Sequence, residues 1–392
     1  MKNTHIETLK QYCFKKLRLS DRDIVFLRLS VGKNASPSEL FSYYETVVFD
    51  DLQGQHACAL ASLSQRLDYQ GVPDDLVPRV KGVIRYYSAR NAMQMKELLC
   101  LLKKLNKTNA DVMILYGAAM KAYYMPYTVR YMGDISFRIK IDGLQNAISA
   151  LEDTGKYTIK TSEHQLTIIK NQQKPEILFT CLNCYDSEMN HDEDVFWEDA
   201  LETSFQGERI FIPSRETQLI LILSNVFQAA FIGRNSCCGR IQWVQDSAFL
   251  LGKDGFSWKR LRDFCSQLDL STEILIMLKI LNDLFPTLIP EEAFSYLSLS
   301  IKEKKQIRLL LRFIKVKEEL SLYVQANTGK KKSLRYCLYL SKLYWYKNRC
   351  FGKRSGFAAD VISFPSFLKS SFRIETWQNF IRILLTKLRE SI

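Results

Sequence analysis

Apolar positions keep a helical period from residue 1 to about 108, break into short runs and alternation from about 109 to 213, and return to the helical period from 214 to 392. In the first stretch they recur three and four residues apart, the spacing that lines one side of an α-helix. Asp21, Ser36 and Ser38 stand where N-caps are expected. Val80, Val83, Ile84, Tyr87, Met93, Leu98, Leu99 and Leu102 predict one long helix over residues 78–105, ended by the polar turn Asn106-Lys107-Thr108-Asn109.

The period then switches. Residues 112–116 form an unbroken apolar run between polar residues, which predicts a buried strand. Gly117-Ala118-Ala119 follows at once and predicts a small-residue helix stopped by Pro126. Over 134–141 the pattern alternates, with Ile135, Phe137, Ile139 and Ile141 on one face and Asp134, Ser136, Arg138 and Lys140 on the other. Asp142, with Gln145 three residues on, predicts a capped helix that ends at Gly155, and two more strands are expected over 163–170 and 176–180. The expected fold class is therefore α+β. A small mixed-sheet core over 109–213 is flanked by an N-terminal helical region, 1–108, and a C-terminal helical domain, 214–392.

Composition narrows the class. With 47% hydrophobic, 25% charged and 12% aromatic residues among 392, the chain reads as globular rather than disordered or fibrous. Lys2, His5, Glu7 and Lys10 break up the first ten residues, so no secretory leader is expected, and the apolar stretch 219–232 is interrupted by Ser224, Asn225 and Gln228. It falls short of the roughly 18 residues a membrane span needs, so no span and a cytoplasmic location are expected. Ten scattered cysteines are expected as reduced thiols. Cys181 and Cys184 have CxxC spacing, but neither His191 nor the adjacent Cys237 and Cys238 complete the ligand pairs of a structural zinc site. Neither GxSxG nor GxGxxG occurs, which leaves hydrolase and dinucleotide chemistry without support.

A net charge of +13 implies an anionic partner. Most of it lies in residues 301–350, which hold 14 lysines and arginines against three acids, interleaved with Tyr323, Tyr336, Tyr339, Tyr344, Trp345 and Tyr346. Lysines that neutralise phosphates and rings that stack on bases would make this a nucleic-acid surface. A helix pair with a solvated basic face over an aromatic core is the plainer reading of the same residues.

The chemistry-bearing constellation is a strand, a glycine turn into a helix, and a second strand whose polar face opens on a carboxylate: Ile114-Leu115-Tyr116-Gly117-Ala118-Ala119, then Gly133-Asp134-Ile135-Ser136. A glycine at a helix N-terminus lets backbone amides approach a triphosphate, whose charge the helix dipole favours. Groups at i and i+2 on a strand project from one face about 7 Å apart, the arrangement in which paired carboxylates hold Mg²⁺ against phosphates. Each residue also has a plain structural reading: Gly117 as a packing point, Asp134 as a solvated strand-edge residue paired with Arg138 or Lys140, and Trp243 with Asp246 as one packed helical turn between regions.

This order of blocks resembles the uncharacterised bacterial nucleotidyltransferases of the polymerase-beta-like superfamily. Their pattern is an apolar strand, Lys-Gly-Ala-Ala, an aromatic helix and Arg-x-Met-Gly-Asp-Ile-Asp. Here the matching residues are Tyr116-Gly117-Ala118-Ala119, Tyr123-Tyr124 and Arg130-Tyr131-Met132-Gly133-Asp134-Ile135-Ser136. Arg90-Asn91 and Glu97-Leu98-Leu99 are similar to the family's lead-in, and Phe196-Trp197-Glu198-Asp199-Ala200, Pro213-Ser214 and 241–246 to its later blocks. The resemblance spans roughly residues 80 to 270. It implies a catalytic set of Asp134, Ser136 and Glu176, Mg²⁺ as cofactor on Asp134 and Glu176, and the phosphates of an NTP at Gly117, Ala118, Ala119 and Arg130.

Three positions depart from the pattern. Tyr116 replaces the lysine, Ser136 replaces the second metal-binding aspartate, and Glu176-Ile177-Leu178-Phe179 keeps an acid but lacks the histidine that follows it in the family. A neutral hydroxyl in place of a bridging carboxylate weakens metal binding on the order of several kcal/mol. The resemblance thus implies either Mg²⁺-dependent nucleotidyl transfer to an acceptor by a degenerate motif, or a non-catalytic descendant that binds a nucleotide, a nucleic acid or a protein partner.

Overall fold

The computed structural model describes residues 2–32, 35–52, 54–123, 129–153, 155–161, 165–170, 178–182, 195–232, 241–252, 254–297, 301–326 and 334–351. Pro126, the 171–174 turn, Glu176, Cys184, His191, Cys237 and Cys238 lie outside them. Contacts divide the chain into two units, one of Phe14–Ala230 with Arg234–Ser298 and one of Met1–Cys13, Phe231–Gly233 and Leu299–Ile392.

In the first unit, helices α2 (Asp21–Val31), α3 (Pro37–Glu45), α4 (Gly54–Arg66) and α5 (Val77–Leu105) precede the sheet; α1 (Lys2–Leu17) comes before them. Ser36 caps α3 as expected, its hydroxyl accepting from the Glu39 amide while Glu39 accepts from the Ser36 amide. Ser20 rather than Asp21 caps α2, because the same reciprocal pair forms with Asp23, and Ser38 falls inside α3. The long helix α5 begins one residue before its expected start and ends at the expected Leu105.

Among the described residues one mixed sheet has the order β3-β4-β5-β2-β1-β7-β6. Its strands are β1 (Val112–Ile114), β2 (Ile135–Ile139), β3 (Tyr157–Thr161), β4 (Gln165–Lys170), β5 (Leu178–Leu182), β6 (Leu201–Phe205) and β7 (Glu208–Ile212). β1 is antiparallel to β2, whereas β2 with β5 and β1 with β7 are parallel. A helix, α6 (Tyr116–Tyr123), leaves the end of β1, and α7 (Ile141–Glu152) leaves the end of β2.

One apolar core joins α5, α7 and a sheet face: Leu98, Leu101 and Leu102 meet Ile135, Phe137 and Ile139 together with Ala147 and Leu151. Removing such side chains from water is the main favourable term in folding. The other face of β2 departs from expectation. β2 is a central strand, and Ser136 and Arg138 are only 2% and 5% exposed, so the polar side of the alternation is buried too. Arg138 lies over the Phe196 ring at 4.5 Å.

Asp142 does not cap α7. The N-cap is Lys140, whose amide donates to the Asp111 carbonyl at 3.0 Å, and Asp142 sits in the first turn, where its charge still complements the helix dipole. The β6–β7 hairpin turns through Gln206 and Gly207, both at positive φ (49° and 86°), a type I′ turn whose twist matches the strands.

In the second unit the helices Ile301–Ala326 and Leu334–Phe351 pair. Tyr323 meets Tyr339 at 5.8 Å, so the late part of the first helix touches the early part of the second and the two run antiparallel. Leu310, Phe313, Val316, Leu340 and Tyr344 are buried. No helix among the described residues is long and apolar enough to cross a membrane.

Candidate functional site

The site is organised by the junction of β1, α6 and β2. Ile114 pairs with Phe137 in the antiparallel register, and the Leu115 amide donates to the Ser136 carbonyl at 2.9 Å. Ser136 therefore lies across from the residue that precedes the Tyr116–Gly117 turn. Tyr116 adopts a positive φ of 46°, a conformation that costs a non-glycine residue roughly 1–2 kcal/mol. Its side chain is 8% exposed, and its carbonyl accepts from Gln218 Nε2 at 3.4 Å.

Asp134, just before β2, receives two hydroxyls on one carboxylate oxygen: Thr180 Oγ1 donates to Oδ2 at 2.8 Å and Ser136 Oγ donates to the same atom at 3.3 Å. Thr180 arrives through the parallel register, Ser136 against Thr180, which puts both side chains on Asp134's face of the sheet. Sequence reading passed over Thr180 because only the register shows that it neighbours Ser136. Glu176 lies outside the described residues, and among those residues no group of three or more His, Cys, Asp or Glu is placed to hold a metal. The described donors are thus one carboxylate and two hydroxyls. Such a set fits a single Mg²⁺ that keeps water and phosphate oxygens as its other ligands; it does not fit a bridged pair of ions.

Gly117, Ala118 and Ala119 lie in the first turn of α6; the Ala119 amide donates to the Leu115 carbonyl at 3.5 Å, which leaves the amides of Gly117 and Ala118 as the ones that can face a ligand. The Ala118 and Ala119 methyls point into the core, so only their backbone can serve a ligand. Gly117 has a specific packing reason as well. A Cβ there would come 2.6 Å from Arg130 Nη1 and 3.4 Å from Met132 Cγ.

Arg130 is held in place by the protein. Nε donates to Asp246 Oδ1 at 3.1 Å, Nη2 to Asp246 Oδ2 at 2.5 Å, and Nη1 to the Tyr131 carbonyl at 3.0 Å. The Gln242 amide satisfies both neighbours when its oxygen faces Arg130 Nε at 3.0 Å and its nitrogen faces the Tyr131 carbonyl at 3.2 Å. The backbone of this segment is clamped from the other side. Ser62 Oγ donates to the Val129 carbonyl, Asn91 Nδ2 to the Arg130 carbonyl at 2.8 Å, and Gln94 Nε2 to the Gly133 carbonyl at 3.1 Å.

The separated sequence blocks therefore converge. Asn91, the Arg130–Asp134 segment and the Gln242–Asp246 turn form one hydrogen-bonded frame around the start of α6. A second frame joins Asp199 to the start of the Arg215–Ile232 helix. Thr217 Oγ1 donates to Asp199 Oδ2 at 3.0 Å, the Thr217 amide donates to Ser214 Oγ at 3.2 Å, and Arg260 pairs with Asp199. Trp243 is 1% exposed, consistent with packing inside this unit.

A family model described as an uncharacterised nucleotidyltransferase matches residues 52–286. Among solved structures, an antigenic nucleotidyltransferase-like protein from Paracoccidioides brasiliensis is similar at 17% identity, over 46% of this chain and 91% of that one, with a TM-score of 0.32. No curated protein matches the chain.

Proposed function

Because the chain belongs to the family of uncharacterised nucleotidyltransferases, we propose that it binds a nucleoside triphosphate with Mg²⁺ at Asp134 and transfers the nucleotidyl group to an acceptor with reduced metal machinery. The observation that carries this reading is the pair of hydroxyls on Asp134 Oδ2, from Ser136 and Thr180, beside the glycine turn into α6. The two bonds orient the carboxylate at the entry to a central strand. The amides of Gly117 and Ala118 supply donors for phosphate oxygens at the positive end of a helix.

In nucleotidyl transfer an acceptor oxygen forms a bond to the α-phosphorus while the bond to the β-phosphate bridging oxygen breaks and pyrophosphate leaves. Mg²⁺, when bound, neutralises charge that builds on those oxygens. Asp134 is the described residue to hold it, with Glu176 as the second ligand in this reading. Ser136 brings no charge where the family pattern has a carboxylate, which lowers the expected rate. The same substitution favours a second reading, in which nucleotide is bound but not turned over.

Titration calorimetry with a non-hydrolysable NTP and Mg²⁺ separates these ideas when paired with a pyrophosphate-release assay. Binding by the wild type that falls at least about tenfold in Asp134→Asn supports the site. Binding with no release, in the wild type and in Ser136→Asp alike, selects the second reading. Wild-type protein that takes up no nucleotide at millimolar concentration rejects both.

A further inference from the structure

We propose that the groove between the paired helices Ile301–Ala326 and Leu334–Phe351 is a binding site for single-stranded nucleic acid, with a base stacked on Trp345 and phosphates on Arg312, Lys315 and Lys342. This inference stands apart from the Asp134 site, since it rests on other residues of the second unit.

The helical hairpin carries features of both readings that its sequence leaves open. Its apolar residues do form a core, with Val316 and Tyr344 at 7% and 8% exposure. Not every aromatic joins it. Trp345 is 38% exposed and meets Tyr346 edge-on, ring centroids 4.8 Å apart. An indole left half in water on a solvated basic face has lost much of the hydrophobic gain that its burial would bring.

Both rings line a groove of about 560 Å³ together with Arg312, Lys315 and Val316 from the facing helix and Lys342 from their own. Arg312, Lys315 and Lys342 are exposed, and Val316 is a buried lining residue. The spacing makes this one surface. Arg312, Lys315 and Val316 recur at i, i+3 and i+4, as do Lys342, Trp345 and Tyr346, so each triplet shares a helix side. The volume lies within the roughly 300–1,000 Å³ of ligand pockets, enough for a nucleoside but not for a duplex.

Three cations, Arg312 and Lys315 on one helix and Lys342 on the other, share the groove with an exposed ring, which matches the chemistry of a single strand, whose charge runs continuously while its bases are free to stack. Duplex nucleic acid hides its base faces and would use the cations alone. Glu319, at the groove wall, is an acceptor that a base amino group satisfies and a phosphate does not.

The test uses the full chain and fluorescence anisotropy with a labelled twelve-nucleotide RNA, the DNA of the same sequence, the RNA duplex and heparin fragments, over a range of salt. Single-stranded RNA should bind more tightly than duplex or heparin of equal charge, with Trp345 emission quenched. Trp345→Ala should weaken RNA binding about tenfold or more, and Trp345→Phe should restore most of it, since stacking needs a ring rather than an indole. Reversing all three cations to glutamate should lower the salt slope by about two, at roughly 0.7 per phosphate contact in single strands. The two Trp345 variants should keep the wild-type circular dichroism. Equal binding of duplex or heparin, an unchanged affinity in Trp345→Ala, or no salt-sensitive binding of either single strand would each overturn the proposal, leaving only a solvated basic face. Binding of the single-stranded DNA with the same dependence on Trp345 supports a site that reads stacking and phosphates, and loss of binding to both single strands would overturn it.

Discussion

Arg130 grips Asp246 through two roughly parallel bonds, Nε to Oδ1 at 3.1 Å and Nη2 to Oδ2 at 2.5 Å, across 116 positions of the chain. Their side chains are 12% and 1% exposed, so this pair is not a surface ion pair of small worth. Removing one partner strands the other charge away from water. Asp246→Asn should therefore lower unfolding stability by about 3 kcal/mol in a urea titration, and Arg130→Met with Asp246→Leu should recover part of the loss by removing both charges. Equal stability of Asp246→Asn and the wild type would show that the frame does not depend on this pair.

Gly117→Ala should be destabilising by about 1–3 kcal/mol, the usual range for forcing a methyl into filled space. The added carbon would sit 2.6 Å from Arg130 Nη1, and Arg130 cannot swing aside while Asp246 holds it. The check is a double-mutant cycle: Gly117→Ala made in an Arg130→Ala background should cost much less. A cost that is the same in both backgrounds would assign the glycine requirement to something other than the arginine.

Ser136→Asp would set a second carboxylate near the first, because Ser136 Oγ lies 3.3 Å from Asp134 Oδ2. Like charges at that range oppose each other unless a cation sits between them. The metal-free variant should melt several degrees below the wild type, roughly 2–4 °C for each kcal/mol lost, and Mg²⁺ should raise its melting temperature more than that of the wild type. Adding Tyr116→Lys should tighten Mg²⁺–NTP binding further. A variant whose melting ignores Mg²⁺ would argue that no ion reaches this cleft.

Glu273 sets a pH dependence. It is 2% exposed, and burial pushes its carboxyl up to about 8, with a hydrogen bond to Gln228 acting in the opposite direction. The folded state then holds this proton more tightly than the unfolded chain, so its contribution is complete below about pH 4.3 and is lost as pH rises toward 8. The slope should approach about 1.4 kcal/mol per pH unit over that window. Glu273→Gln, measured by urea unfolding at pH 5, 7 and 9, should flatten the curve and be the more stable protein at pH 9. Parallel curves for the two proteins would count against a buried neutral carboxyl.

How much of this was legible depends on the range of the interaction concerned. The 78–105 helix could be read because its apolar stripe is local, and β2 because Ile135, Phe137 and Ile139 alternate. β6 was passed over since Leu201-Glu202-Thr203-Ser204 is exposed on an edge strand, where no buried face marks the period. β3 is also an edge strand, but Tyr157 and Ile159 turn to the core, so its five residues carry the alternation and are only too few to stand out. The blocks around Asn91, Arg130 and Asp246 could be read as a family pattern. That they close on one another could not, because hydrogen bonds between residues 39 and 116 positions apart leave no periodic trace. Thr180 was missed for the same reason, its link to Asp134 spanning 46 positions.

The division of the chain has a kinetic consequence. Met1–Cys13 belong to the same unit as Leu299–Ile392, with Tyr12 against Phe231 at 5.2 Å, while the nucleotidyltransferase unit is threaded between them. During synthesis Met1–Cys13 must wait for residues beyond Ser298 before they can pack in their own unit, while the intervening unit has its partners earlier. Closing so long a loop is slow on an open chain, but an intervening unit that has already folded shortens the effective path between its ends. The docking of Met1–Cys13 within its unit should therefore be a late step of folding, set by sequence separation rather than by the local pairing of the two helices at 301–351.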